Sequence, residues 1–265
     1  MGMITMQTHT KYGVLLFATI IFPALAYANR DPNFYTFASR VADEFPATFL
    51  SDTNATFTNS TNIAALLLAG GASIIMHNTD ADKNLNDNFE RHRAFDNTTS
   101  DAFDYAGNPG IHLGAAYVWY LYSQANHDEP SQEKAWTMLS ALAITDTAAF
   151  GLKLVVNDKR PNGSNFSFPS AHTASSFCAA SVLDEYYGPQ VGIPAYVGAC
   201  MVSWRMMDSH DHWASDVLFG GTLGYIVGHT VAGKHKQLEL AGFKIEPMVS
   251  LDTHPATGLC LVKRF

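Results

Sequence analysis

Blocks of apolar residues, broken by short polar or Gly/Pro-marked stretches, run through most of the 265-residue chain. Ile63 to Met76 is dense in Ala and Leu and predicts an apolar helix, with Gly70 and Gly71 marking close helix packing at some cost in helix propensity. Residues 105–127 carry no Asp, Glu, Lys or Arg, but Asn108-Pro109-Gly110 breaks the run and leaves Ile111 to Tyr122 as its helical part. A long helix is predicted from about Pro130, with Glu133 in its first turn where negative charge suits the helix dipole, to about Val156. Later helices are predicted at Ser170 to Asp184, Ile193 to Trp204 and Asp216 to Val231. The uncharged runs at 189–204 and 217–233 are shorter than the ~20 residues of a spanning helix and are interrupted by Gly, Pro and His, so they read as buried core helices. Residues 29–61, mixed and rich in Thr, Asn and Phe, predict irregular entry structure with one short helix near Ala38 to Asp43. From Leu238 the spacing changes to alternation at Ile245, Val249 and Leu251, which predicts a small hairpin or extended tail.

The sum is an all-α chain: one globular helical bundle over 29–237 with a short extended or hairpin tail over 238–265. Composition supports it, since 47% hydrophobic and 15% charged residues can bury a large core. A net charge of -8 argues against nucleic acid as a partner, so any phosphate site must be a local basic pocket. Residues 1–28 have the layout of a signal peptide: Lys11 as the positive flank, Val14 to Leu25 as the apolar stretch and Ala26-Tyr27-Ala28 as the cleavage site. Export to a periplasm or to the cell exterior follows. With Cys178, Cys200 and Cys260 alone, no dense disulfide framework is expected; Cys178 and Cys200 read as small buried thiols on helices. Asp80 to Asn86 alternates oxygen side chains like a calcium loop, but Leu85 and Arg91 stand where Gly and a bidentate Glu are needed, so it reads as a solvated polar loop.

Candidate chemistry is concentrated between Lys153 and Asp216. Lys153 and Arg160 are two helical turns apart and would share a face of a continuous helix; Pro161 and Asn162-Gly163 end that helix, turning Arg160 back over the same spot. Alone, such a pair is more often two solvated surface cations. Phe168-Pro169-Ser170-Ala171-His172 precedes a helical run of small residues, so the N–H groups of Ser170, Ala171 and His172 would lie at the positive end of a helix dipole, a cradle for an oxyanion. His172 at its edge could protonate a leaving oxygen. His212 and Asp216 are one turn apart, so the carboxylate can fix one imidazole nitrogen and leave the other free to attack. Arg205 could add a bidentate contact to phosphoryl oxygens. A rival set of metal ligands, His210, Asp211, His212 and Asp216, leaves Lys153, Arg160, Arg205 and the Pro-Ser-Ala-His turn without a purpose.

Read in order, Lys153 with Arg160-Pro161, then Pro169-Ser170-Ala171-His172, then Ser203, Arg205, His212 and Asp216 resemble the signature of the type 2 phosphatidic acid phosphatase superfamily. That superfamily includes bacterial class A acid phosphatases, lipid phosphate phosphatases and vanadium haloperoxidases. The resemblance implies an all-helical bundle and a phosphatase that needs no metal and no other cofactor. It further implies phosphoryl-oxygen binding by Lys153, Arg160 and Arg205 with help from Ser170 and the amides near Ala171, His172 as general acid, His212 as the nucleophile of a phosphohistidine intermediate, and Asp216 as its orienting partner. Two positions depart from the pattern. Ala171 replaces the usual Gly, and Trp204 separates Ser203 from Arg205, leaving six residues rather than five before His212. One extra helical residue rotates a side chain by about 100°. Either the Asp208 to Asp211 stretch absorbs it, or Arg205 is displaced.

The expected function is an exported phosphatase of phosphomonoesters, either soluble or lipid head-group phosphates reached at a membrane surface by peripheral association. Phe166, Phe168, Trp204 and Trp213 are candidate walls of an apolar groove for a lipid. Two alternatives stand beside it: a vanadate-dependent haloperoxidase, and a non-catalytic envelope protein with a vestigial phosphate site.

Overall fold

The computed structural model describes residues 32–236 and the backbone of short strands at 239–240, 243–250 and 256–262. The segment read as a signal and the Cys260 side chain lie outside these residues. The helices in chain order are α1 (Pro32–Asp43), α2 (Phe45–Thr58), α3 (Ser60–Asn78), α4 (Ala81–Arg91), α5 (Asn97–Gly107), α6 (Pro109–Ala125), α7 (Glu129–Val156), α8 (Ala171–Tyr187), α9 (Pro189–Asp208) and α10 (Ala214–His235). Several of their starts are set by side-chain caps: Asn59 accepts from Thr61 N and Asn62 N, Asp96 from Thr99 N, Asn108 from Gly110 N and Asp128 from Ser131 N. The helix predicted from Pro130 to Val156 is α7, which ends on the left-handed residue Asn157. Strands β1 (Glu239–Leu240), β2 (Phe243–Ser250) and β3 (Ala256–Val262) form the expected hairpin-like tail, with β2 and β3 antiparallel from Lys244 opposite Val262 to Ser250 opposite Ala256.

At the centre of the bundle α8 packs against α7, α9 and α10. Its contact with α10 is close because Gly220, Gly224 and Gly228 recur every fourth residue and face α8; a Cβ at Gly224 would fall on the Ala174 carbonyl, and one at Gly228 on the Cys178 carbonyl. Leu142, Ile144, Val182, Leu223, Val227 and Val231 fill the core between these helices. A smaller cluster of Tyr120, Ala135 and Trp136 is covered by Phe37 of α1.

Several expectations fail. The short helix expected near Ala38 to Asp43 is the second half of α1, but the described residues before it and Phe45–Thr58, expected to be irregular, are helical too, as the start of α1 and as α2. The Thr/Asn-rich sequence of α2 has weak helix propensity, but tertiary bonds override it: buried Asp52 accepts from Ser140 Oγ at 3.0 Å and Lys234 Nζ at 2.8 Å and contacts His235. The supposed polar loop at Asp80 to Asn86 is most of α4, whose Asp82 is buried against α10. The helix over 63–76 is packed on one side only. Ile63, Leu67, Leu68, Ile74 and Ile75 form an exposed apolar face, and Gly71 faces open space. The run at 189–204 likewise leaves Val191, Ile193 and Val197 exposed, while α10 is largely buried as expected. Cys178 is buried and its thiol is pushed up to about 12 by that burial, whereas Cys200 is exposed, contrary to expectation.

Candidate active site

Lys153 lies one turn before the end of α7, 7% exposed, and its ammonium donates to Phe166 O at 2.8 Å and Ser167 O at 2.9 Å. Burial, and then the nearby Arg160 guanidinium, push it down to about 7 against the pull of Asp216. The left-handed Asn157 turns the chain into a loop, where Arg160 N–H donates to Ser164 O at 2.8 Å. Arg160 therefore does turn back over Lys153. Its Nη1 is 3.9 Å from Asp211 Oδ1, and its buried Nε has no hydrogen-bond partner among the described residues.

The loop then feeds α8. Ser170 caps that helix through its Oγ, which accepts from Thr173 N at 3.4 Å, and gives its own N–H to Asp216 O at 3.1 Å. The Ser170 N–H is thus committed to holding the start of α8 against α10, while its Oγ caps α8 as an acceptor and keeps a hydroxyl proton to donate; the N–H groups of Ala171 and His172 lie at the dipole's positive end. His172 Nε2 is 3.4 Å from Asp104 Oδ1 on α5, outside hydrogen-bond geometry. Its imidazole is held well below the usual histidine range, by burial first, then by His212, Arg205, Lys153 and His112.

The extra residue before His212 is absorbed where α9 ends. His210 is left-handed, and the N–H groups of Asp211 and His212 both point at Met206 O, at 3.1 and 3.0 Å, so the chain bulges instead of rotating the helix. Arg205 stays in the site. Its Nη1 is 2.7 Å from Asp211 Oδ2 and 2.9 Å from Asp104 Oδ1, and Nε donates to Ser100 Oγ at 3.2 Å. His212 Nδ1 lies 3.2 Å from Asp216 Oδ2, a carboxylate that also accepts from Trp213 N at 2.9 Å and from Ser167 Oγ. With Nδ1–H so bound, the free nitrogen is Nε2. His212 is held well below the usual range by burial, then Lys153 and Arg160, which keeps the imidazole neutral. Burial raises the Asp216 carboxyl, against its bonds from Ser167 and Trp213.

Lys153, Arg160, Arg205, His172, His212 and Asp216 are therefore brought close enough to act on one another's charge beside the start of α8. The rival metal set is not assembled: His210 Nδ1 sits 2.7 Å from Asn86 Oδ1 and Asp211 holds Arg205, and among the described residues no cluster of three or more metal-ligating side chains forms. Several contributors had no local signal in the sequence. Asp82, 133 residues from its partner, accepts from Ser215 N at 3.0 Å and from Ser215 Oγ, pinning the first turn of α10. Asp104 and Ser167 became visible only through tertiary contact, and Asp211, read before only as a rival metal ligand, holds Arg205.

The aromatic residues expected to wall a groove have other partners. Phe168 packs on Phe219, Trp204 on Phe95, and the Trp213 indole donates to Lys159 O at 2.7 Å. The apolar cavity, about 400 Å³, lies instead among α5 to α9, lined by residues such as Ala115, Trp119, Ala179, Leu183, Gly198 and Val202. It reaches Ser176, one turn beyond His172, and His112, whose Nδ1 is 2.9 Å from Ser175 Oγ.

Comparison with known proteins agrees with this geometry. The family model of the PAP2 superfamily matches residues 87–238, more than half of the chain. Over 73 residues the chain is 37% identical to the lipid A 1-phosphatase of Porphyromonas gingivalis, a match covering 26% of this chain and 16% of that protein. The fold matches that of the transmembrane PAP2 type phosphatidylglycerolphosphate phosphatase from Bacillus subtilis with a TM-score of 0.56, at 20% identity, over 65% of this chain and 94% of that one.

Proposed function

Since the chain belongs to the PAP2 superfamily, we propose that it is an exported, membrane-associated phosphatase that hydrolyses lipid phosphomonoesters through a phosphohistidine on His212, without a metal. The observation that carries this proposal is a convergence: an imidazole fixed at Nδ1 by Asp216 lies within electrostatic reach of the cations Lys153, Arg160 and Arg205. Three cations and a helix N-terminus would stabilise charge spread over the phosphoryl oxygens, the term expected to supply most of the rate. His212 Nε2 would attack phosphorus in line, His172 would protonate the departing oxygen, and water would then release phosphate from His212.

A lipid substrate is favoured over a soluble one by the apolar cavity, which begins one helical turn from His172 and is large enough for part of an acyl chain. The exposed apolar face of α3, a helix long and apolar enough to cross a membrane, supports membrane association. The relatives act on, by their names, lipid A and phosphatidylglycerolphosphate.

The test is hydrolysis of p-nitrophenyl phosphate and of phosphatidic acid by the purified chain in EDTA. Both activities should survive EDTA, disappear with vanadate and disappear in H212A. In G198F, which adds a ring at a cavity-lining position with open space around it, phosphatidic acid turnover should fall about tenfold or more while p-nitrophenyl phosphate is spared. Equal loss on both substrates would detach the cavity from lipid binding, and retained activity in H212A would remove the nucleophile.

A further inference from the structure

We infer that Asp104 is a positioning residue for the acid step, its carboxylate offsetting the cations around His172 so that the ring can take up the proton it gives to the leaving oxygen; the inference rests on the phosphatase mechanism proposed above. Asp104 belongs to none of the motif blocks. It reaches the pocket from α5, where Oδ1 lies 2.9 Å from Arg205 Nη1 and 3.4 Å from His172 Nε2. Ser100, one turn earlier on α5, bonds Arg205 Nε, so this helix grips the arginine at two points.

The surroundings of His172 explain why such a group is needed. His112 approaches from α6, Lys153 from α7, Arg205 from α9 and His212 from the segment before α10, and each opposes a positive charge on the ring. Asp104 faces it from α5 with the opposite sign. At 3.4 Å, and without hydrogen-bond geometry, the carboxylate acts by charge, so the Nε2 proton stays available for the substrate. With 37% exposure of its side chain, Asp104 also has room to adjust when a phosphate claims Arg205.

The step balances as follows. The His212 Nε2 electron pair forms the N–P bond while the bond from phosphorus to the leaving oxygen breaks; that oxygen keeps the pair and takes the proton of His172, departing as an alcohol. Water oxygen then attacks phosphorus, the N–P pair returns to His212, and the water proton goes to His172, restoring its cationic form beside Asp104.

The experiment compares D104N and D104E with the unsubstituted chain on two substrates. Dioctanoyl phosphatidic acid must expel an alkoxide and needs the acid; p-nitrophenyl phosphate expels a stable phenolate and does not. In D104N, kcat on phosphatidic acid should fall about tenfold at neutral pH, with the basic limb of its pH profile moving about one unit toward acid. On p-nitrophenyl phosphate kcat should stay within about twofold, and D104E should restore most of the loss. Equal losses on both substrates with an unmoved limb would assign Asp104 a merely structural role and overturn the inference, as would full phosphatidic acid turnover in D104N. If the unsubstituted chain hydrolyses neither substrate, the phosphatase mechanism falls, and the inference with it.

Discussion

The depressed Lys153 ammonium makes a quantitative prediction about pH. It is held at about 7, chiefly by burial and then by Arg160. At a pH one unit above that value only about a tenth of the free enzyme carries this charge, so kcat/KM should stand about tenfold below its acidic plateau. The fall is bounded, because Arg160 and Arg205 stay charged throughout: losing one charge-assisted contact to phosphate is worth about 1.5–3 kcal/mol, so the curve should level off roughly 10- to 100-fold down. Arginine does not lose its charge in this range, so K153R should show a lower plateau but no alkaline limb, and K153M should sit near the wild-type floor at every pH. The assay is kcat/KM on p-nitrophenyl phosphate between about pH 5 and about pH 9, alongside vanadate inhibition, which should weaken over the same window. The fold responds in the opposite sense. The folded value lies below the unfolded 10.5, so the unfolded chain binds more protons between about 7 and 10.5, and the stability penalty of burying Lys153 fades as pH rises through that interval. An alkaline limb that persists unchanged in K153R would show that another group titrates and would refute the assignment.

Three further outcomes follow from contacts in the bundle. D216N should keep the fold but lower kcat by about 10²- to 10⁴-fold, because the His212 tautomer loses its carboxylate partner; circular dichroism beside kinetics checks both halves. G224A should lower stability by about 3 kcal/mol or more in urea unfolding, since its methyl would fall on the Ala174 carbonyl and α8 and α10 cannot separate without opening the core. D82A should cost about 3 kcal/mol, read in the same assay, because it leaves Ser215 N–H and Oγ buried without their acceptor; partial loss of activity should accompany it as the first turn of α10 loosens.

The helices after Asn108 were legible because some of their breaks are chemical, as at Asn108-Pro109 and Pro161, although Gly188-Pro189 starts α9 four residues before the predicted Ile193. The pairing of His212 with Asp216 was legible for the same reason, being set by one helical turn. What depends on distant partners was not. α2 is helical because Asp52 meets Lys234 and His235, about 180 positions away, and nothing within Phe45–Thr58 announces that. Asp82 looked like part of a solvated loop because its partner Ser215 lies at the far end of the sequence. Ser170, read as a phosphate ligand, also caps α8 through its Oγ, a second use of the hydroxyl that the motif alone does not announce. The extra residue before His212 left two outcomes open, and only the bulge at His210 distinguishes them. The cavity walls were misplaced because aromatic residues attract attention, while the cavity is built largely from Ala and Gly whose small size makes the space.

The most direct test of the mechanism is to look for the covalent intermediate. H172N, which can still accept phosphoryl from p-nitrophenyl phosphate but lacks the base that activates water, should be acid-quenched during turnover and its peptides examined by mass spectrometry. One phosphoryl group on the peptide containing His212, absent in a double variant with H212A, is the predicted result. No phosphorylated histidine, together with inversion of configuration at phosphorus in the unsubstituted enzyme, would mean direct attack by water and would contradict the role assigned to His212.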